Sequence, residues 1–220
     1  MDRITIYHGS EAIVEKPIYG YGKSSNDYGL AFYCTTSLEM AKEWASRTNA
    51  SGFANKYSFN ASGLNILDLT EPSFSVLNWV AILMHFRELS LSQRTLYKRR
   101  LDFLEKNFYV DVTKYDVVIG YRADDAYFKF PLFFLQNELS IESLENIYKA
   151  GNLGKQIALI SEKAFSRLSF IKAIKVERVY KEKYYTRKSL ADSSFEEIRI
   201  NDVNNINDKL EDLMKNYDKR

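Results

Sequence analysis

The order of predicted strands and helices constrains the fold of this 220-residue chain more than any other sequence feature. Short β-branched and aromatic runs at 4–8 and 30–35 end at turn residues and predict strands near the N-terminus. Helical periodicity fills the middle of the chain, and strand patterns return at 116–121, 155–161 and 173–180. Strands towards both ends with helices inserted between them predict an α+β domain with a mostly antiparallel or mixed sheet.

Helical patterns divide the rest of the chain. Ser37 is a predicted N-cap for a short helix that contains Trp44. The segment 73–108 carries apolar residues at helical spacing in two stretches, and we interpret it as a helical insertion. A further helical region, 130–148, is broken near 138–140. Because the chain shows no internal repeat or low-complexity tract, we expect one domain over 1–220.

The C-terminal segment 203–217 has an amphipathic pattern. Its apolar residues recur at steps of three and four: Val203, Ile206, Leu210, Leu213 and Tyr217. This spacing predicts a terminal helix. The helix either packs on the core of its own domain or binds a partner protein.

Composition narrows the class of protein. The 31 basic and 29 acidic residues give a formal net charge of +2, which does not suit a protein that coats a polyanion. A single cysteine, Cys34, excludes an intrachain disulfide and a cysteine-based zinc site, and with only two histidines we expect no metal. The longest apolar run, 76–86, is too short to span a bilayer, and the N-terminus shows no signal peptide. We therefore expect a cytoplasmic protein, or one delivered into a target cell, with no membrane partner.

The first candidate functional residue is His8. It stands at the end of a predicted strand in the sequence Tyr7-His8-Gly9-Ser10. A histidine at this position can point into a cleft while the glycine backbone approaches a ligand closely. On its own, this pattern more often marks a structural, hydrogen-bonded histidine. The chain contains no P-loop, dinucleotide glycine fingerprint or Gly-x-Ser-x-Gly motif.

Read in order, three N-terminal segments resemble the NAD-binding core of ADP-ribosyltransferases. They are Tyr7-His8-Gly9-Ser10, then Tyr28-Gly29-Leu30-Ala31-Phe32-Tyr33-Cys34-Thr35-Thr36, then a helix with Ala41 and Trp44-Ala45. The similarity is to the diphtheria-toxin and poly(ADP-ribose)-polymerase branch, which carries His, Tyr and Glu on three strands. The whole chain also resembles the bacterial family "domain of unknown function 3990", which shares a later motif, here Asp116-Val117-Val118-Ile119-Gly120-Tyr121-Arg122-Ala123-Asp124-Asp125.

This resemblance implies a fold and a set of site residues. The fold would be a split, strongly bent β-sheet of ADP-ribosyltransferase type with a helical insertion. His8 would donate a hydrogen bond to the adenosine-ribose 2′-hydroxyl, and the Gly9 backbone would pair with the nicotinamide carboxamide. Tyr33 would stack on the nicotinamide ring, and Trp44 stands where the family has a second stacking tyrosine, with its π-face kept.

Two positions depart from the family pattern. The serine that binds the carboxamide falls at Ala41, so Ser10, Thr35 or Thr36 would take its place in binding NAD. The glutamate falls at Gln156, on the predicted strand 155–161. A glutamine can hydrogen-bond a ribose hydroxyl, but it offers no negative charge to the reacting ribose.

A second acidic residue would compensate for Gln156. Asp125, or its neighbour Asp124, follows the clearest predicted strand and is the sequence candidate for a catalytic carboxylate. The alternative for this pair is a solvated turn. If no carboxylate replaces the glutamate, either the acceptor needs no base or the domain is slow or inactive.

The function implied by the resemblance is mono-ADP-ribosyl transfer from NAD to a macromolecule, by a bacterial toxin, effector or phage-defence enzyme. NAD would be the substrate, and an antitoxin or other protein would be a partner. Two alternatives remain: an NAD glycohydrolase, and a non-catalytic NAD-binding module of the same fold.

Two basic clusters bear on the identity of the acceptor. The first lies in the helical insertion and contains Arg94, Lys98, Arg99, Arg100 and Lys106. The second surrounds Tyr180, Tyr184 and Tyr185 and contains Lys172, Lys175, Arg178, Lys181, Lys183, Arg187 and Lys188. We interpret the second cluster either as a solvated strand-and-loop surface or as a site for RNA or DNA. A protein acceptor would instead bind the inserted helices or the terminal helix.

Overall fold

The computed structural model describes residues 3–46, 51–123, 127–150, 154–177, 179–202 and 208–217. The described strands are β1 Arg3–Ser10, β2 Phe32–Cys34, β3 Gly52–Asn60, β4 Ile66–Asp68, β5 Val117–Tyr121, β6 Lys155–Leu159 and β7 Leu168–Val176. The described helices are α1 Leu38–Ala45, α2 Val76–Phe86, α3 Leu91–Leu96, α4 Lys98–Phe108, α5 Lys129–Leu135, α6 Ile141–Ala150, α7 Glu162–Phe165, α8 Val179–Asp202 and α9 Leu210–Tyr217. The predicted α+β class is confirmed.

The described strands form two sheets that meet at one edge. The first sheet has the order β1-β3-β7 and is antiparallel throughout. The second has the order β2-β6-β5-β4, in which β4 and β5 are parallel and the other pairs antiparallel. A backbone bridge joins the sheets, because the N–H groups of Tyr7 and Thr35 each donate to the carbonyl of the other at 2.8 and 2.9 Å. The expected mixed sheet is therefore present as two connected parts.

Along the chain, helices α2, α3 and α4 come between β4 and β5, which pair directly as parallel strands. All three helices fall within the predicted insertion 73–108. Helix α2 is apolar on nearly all sides, and Trp79 and Leu83 are fully buried in the larger hydrophobic core. This character explains its central place, because a helix without a polar face must be covered on every side. The predicted break near 138–140 separates α5 from α6.

After β6 the predicted elements are present with shifted bounds. The helical turn predicted at 164–168 corresponds to α7, and the strand predicted at 173–180 corresponds to β7, which runs over Leu168–Val176. The end of the predicted strand was wrong, because α8 begins at Val179. Helix α8 buries Tyr184 and Phe195 on one face, and it is otherwise rich in charged residues that favour helix. Apolar residues this sparse give a weak helical pattern in the sequence. The second basic cluster therefore lies on β7 and α8, not on a strand-and-loop surface; Arg178 lies outside the described residues.

Helix α8 is held against α1 by polar contacts. The Arg187 guanidinium donates to the Glu43 carboxylate at 2.7 Å, and it also lies over the rings of Tyr127 and Tyr184. Lys42 donates to the Tyr180 hydroxyl at 2.8 Å. Arg187, which the sequence analysis placed in a surface cluster, is thus a contact between two helices.

Helix α9 packs on the core of the chain. Its residues Leu210 and Met214 are buried, and Glu211 accepts a hydrogen bond from Arg100 of α4 at 2.7 Å. The first half of the predicted terminal helix, with Val203 and Ile206, lies outside the described residues. In the part of the chain that the structure describes, none of the helices has the length and apolar character needed to cross a membrane.

Helix α1 lies unusually close to β1 at Gly9. A Cβ atom added to Gly9 would stand 2.0 Å from the Ala41 carbonyl oxygen and 2.7 Å from Trp44 Cβ. Any larger residue would push the helix away from the strand. The hydrogen atom of Gly9 therefore fixes the position of Trp44 relative to β1.

We predict that Gly9→Ala destabilises the chain by about 3 kcal/mol, because the added methyl group meets helix backbone that cannot move aside. Free energies of unfolding from urea denaturation measure the loss. Gly63→Ala is the matched control: its added Cβ would meet nothing within 4 Å, so only the left-handed backbone at φ +69° is strained. The control variant should lose about 1 kcal/mol. Equal losses in the two variants would contradict the close packing at Gly9.

Candidate functional site

A cavity of about 230 Å³ lies beside the junction of the two sheets. It collects five predicted site residues from four elements: His8 and Gly9 of β1, Tyr33 of β2, Trp44 of α1 and Gln156 of β6. The remaining lining residues are Asn26, Asp27, Arg87, Arg122 and Ala123. The structure thus brings together residues that are far apart in the sequence.

His8 is held in one tautomer. Its Nδ1–H donates to the Tyr33 carbonyl oxygen at 2.7 Å, and its ring packs on Phe32 with centroids 4.3 Å apart. A carbonyl oxygen can only accept, so the proton of the neutral ring resides on Nδ1. Burial lowers the pKa of His8, more than the hydrogen bond to Tyr33 raises it. The ring is therefore neutral near pH 7, and its Nε2 is a hydrogen-bond acceptor.

Tyr33 is anchored by its hydroxyl. The hydroxyl donates to the Gly29 carbonyl at 2.6 Å and accepts from the Tyr28 N–H at 3.0 Å. Burial, and then the nearby charge of Asp27, raise the pKa of Tyr33 far above its ordinary value of 10.0. The phenol stays protonated, and the aromatic ring is what Tyr33 contributes to the cavity.

Two arginines line the cavity. The Arg122 guanidinium lies over the Trp44 ring, 5.1 Å from its centroid, and Arg122 is only 2% exposed. Arg87 lies 3.7 Å from the Asp27 carboxylate. Sequence analysis missed both arginines. Arg122 lies inside the quoted motif 116–125, which was the one available signal, whereas Arg87 follows α2 with no distinguishing pattern.

Asp27 and Gln156 form a buried pair. Gln156 Nε2 donates to Asp27 Oδ2 at 2.7 Å and to the Tyr121 carbonyl at 3.2 Å. The same carboxylate oxygen accepts from the Ala123 N–H at 2.9 Å. Sequence analysis missed Asp27, because it lies in a turn-rich loop and its partners come from distant parts of the chain.

Two predicted NAD-binding hydroxyls do not line the cavity in the described part of the chain. Ser10 Oγ donates to the Ala12 carbonyl at 2.6 Å and accepts from the buried Asn55 amide at 3.0 Å. Thr35 Oγ1 accepts from the Ser37 N–H at 3.1 Å. Both hydroxyls take part in local hydrogen bonds, and their part in binding NAD stays a prediction.

The acidic pair Asp124 and Asp125 lies outside the described residues. The description of the chain stops at Ala123, which lines the cavity, and resumes at residue 127. Within the described ranges, no group of three or more His, Cys, Asp or Glu residues is arranged to hold a metal ion.

A protein-family model matches most of the chain. The model of the family described as "Protein of unknown function (DUF3990)" covers residues 4–170. The chain belongs to this family. No curated protein and no solved structure matches the chain. The DUF3990 region begins in β1 and ends inside β7, so it contains every described residue that lines the cavity.

We predict that His8 makes the stability of this DUF3990 protein depend on pH. Unfolded His8 titrates near its ordinary pKa of 6.5, and the folded pKa is lower. As the pH falls below 6.5, the unfolded state binds a proton that the folded state does not, and stability is lost.

Urea denaturation at about pH 7.5 and about pH 5.5 measures this effect. The loss of unfolding free energy between the two values should be smaller in His8→Gln than in the wild type. His85→Gln controls for the removal of an imidazole, because His85 lies outside the cavity and is 40% exposed. An unchanged pH dependence in His8→Gln would contradict the prediction.

Proposed function

We propose that this chain is a mono-ADP-ribosyltransferase that transfers ADP-ribose from NAD to a macromolecule. The observation that carries the proposal is the meeting of His8, Tyr33, Trp44 and Gln156 in one cavity. These residues stand at the positions of the ADP-ribosyltransferase pattern, and nothing in their sequence separation requires them to be close. The resemblance supplies the activity, and the cavity supports it.

The cavity residues suit one end of NAD. Tyr33 and Trp44 offer aromatic surface to a planar nicotinamide ring, which favours stacking. The guanidinium group of Arg122 suits the negative diphosphate. At about 230 Å³ the cavity is smaller than the roughly 300–1,000 Å³ of sites that enclose drug-sized ligands. It would therefore hold the nicotinamide riboside end, with the adenosine end reaching outwards.

Bound NAD would supply a nicotinamide–ribose bond that can be broken. In this proposal His8 accepts a hydrogen bond from a ribose hydroxyl through Nε2, rather than donating one, because its Nδ1–H is used by Tyr33. Gly9, which lines the cavity, offers its backbone to the carboxamide.

Incubation with NAD labelled in the adenine ring, together with a bacterial lysate, tests the proposal. The wild type should attach label to a macromolecule and release nicotinamide. His8→Ala should lose about two orders of magnitude in rate, by analogy with the loss of one preorganised polar group. Trp44→Phe keeps a ring face and should retain most activity, whereas Trp44→Ala should lose it.

Each alternative gives a different result in the same assay. Nicotinamide release that needs no macromolecule indicates a glycohydrolase. The absence of a charge at Gln156 favours the second alternative, a non-catalytic NAD-binding module. Such a module would bind NAD in calorimetry without releasing nicotinamide. A wild type that neither binds NAD nor cleaves it would contradict all three functions.

The charge of the second basic cluster bears on the acceptor of the proposed reaction. In the second basic cluster Arg187 is bound to Glu43, and Lys183 lies 3.6 Å from Glu39. Ionic contacts inside the protein reduce the charge available for phosphates. This observation favours a protein acceptor over RNA or DNA.

We predict that glutamate substitution of Lys172, Lys175, Lys181 and Lys188 changes the labelling of total protein by less than about twofold. These lysines would strengthen binding to the phosphates of a nucleic acid, and a protein acceptor has no such phosphates. Arg187 is left intact, since its replacement would disturb α8. Lys16→Glu with Lys114→Glu is the control for surface charge reversal, because both lysines are exposed and lie outside the basic clusters, the inserted helices and α9. Strong RNA labelling by the wild type that falls in the four-lysine variant, and is spared in the control, would identify nucleic acid as the acceptor instead.

A further inference from the structure

Asp27 is the acidic residue among the described residues that line the cavity. It is 6% exposed, and its carboxylate accepts hydrogen bonds from the Ala123 N–H and the Gln156 amide and lies 3.7 Å from the Arg87 guanidinium. Donors of this kind favour the ionised form of a buried carboxyl group. The cavity therefore contains a negative charge that the sequence pattern alone does not reveal.

The contacts with Asp27 and Tyr121 also fix the orientation of the Gln156 side-chain amide. An ionised carboxylate and a backbone carbonyl can only accept, so the nitrogen of the Gln156 amide must face Asp27 and Tyr121. Both amide hydrogens are then used. Within the described part of the chain, no group donates to Gln156 Oε1. The carbonyl oxygen is therefore the atom of Gln156 that a ligand can reach.

We propose that Asp27 and Gln156 act together as the equivalent of the single glutamate of the ADP-ribosyltransferase pattern. Gln156 Oε1 accepts a hydrogen bond from a ribose hydroxyl, as one glutamate oxygen would. Asp27 is a positioning residue for that amide, because its Oδ2 accepts a hydrogen bond from Gln156 Nε2 at 2.7 Å. The Asp27 carboxylate also supplies the negative charge that Gln156 lacks. This inference rests on the proposed function.

The reaction that the pair would assist is balanced without a further reagent. The nicotinamide–ribose C–N bond breaks, and its electron pair leaves with the nicotinamide ring, which becomes neutral. The nucleophilic atom of the acceptor forms a bond to the same ribose carbon, and the proton of the acceptor passes to water. Positive charge develops on the ribose as the C–N bond breaks. A fixed negative charge close to the ribose would stabilise this developing positive charge.

Asp27→Asn is the direct test, because it removes the charge and keeps the shape. We expect kcat for nicotinamide release to fall at least about tenfold while the KM for NAD changes little, since the charge acts on the reacting ribose. Asp116→Asn is the matched control. The Asp116 carboxylate accepts hydrogen bonds from the Ser161 hydroxyl and the Asn65 N–H. Asp116 immediately precedes β5, whereas the cavity lies beyond the other end of that strand, and Asp116 does not line the cavity.

The double variant Asp27→Asn with Gln156→Glu exchanges the charge and the amide between the two positions. We expect it to recover at least part of the kcat lost in Asp27→Asn. A purely structural role for Asp27 would give no such recovery. Asp27→Asn with wild-type kcat, or a folded, NAD-binding double variant as slow as Asp27→Asn, would overturn the inference and leave the proposed function intact.

A further variant decides the matter if Asp27→Asn does not fold. In Gln156→Glu two carboxyl groups lie side by side and must share a proton, so kcat should acquire a titration step that the wild type lacks. A pH profile identical to that of the wild type would overturn the inference. A wild type that releases no nicotinamide would overturn the proposed function and, with it, this inference.

Discussion

The junction between β1 and β2 is the constraint on which the candidate site depends. Backbone hydrogen bonds between Tyr7 and Thr35 join the edges of the two sheets, and the His8 imidazole continues the junction by donating to the Tyr33 carbonyl. One set of contacts therefore joins the sheets, fixes the tautomer of His8 and sets the distance from His8 to Tyr33. The cavity could not keep its shape if the sheets moved relative to each other.

The N-terminal part of the site could be predicted because its signals are local. His8 and Gly9 follow one another on a strand, and Tyr33 and Trp44 lie within a strand and helix that show clear patterns of their own. Asp27 could not be predicted, because its function depends on a side chain from β6 that is distant in sequence. The same reason explains why Arg87 was missed, since its neighbour is Asp27.

The fold was predictable where apolar periodicity is strong, as in α2, and not where polar contacts determine it. Helix α8 shows the difference. Its position depends on Arg187 and Tyr180 binding residues of α1, and a sequence pattern records such pairs only as charge and aromatic content. The buried charge of Asp27 also affects the free energy of unfolding. The hydrogen bonds to its carboxylate offset the cost of removing that charge from water, so this region adds little to the stability of the fold.

The contact between α8 and α1 has a consequence for how the family region is delimited. The DUF3990 match ends at residue 170, whereas the helix that holds Glu43 of α1 in place begins at Val179. A fragment cut at the family boundary would contain all of the described lining residues. It would also lack the outer support of the helix that carries Trp44. In this chain, one support of the cavity wall lies in a segment that the family match does not cover.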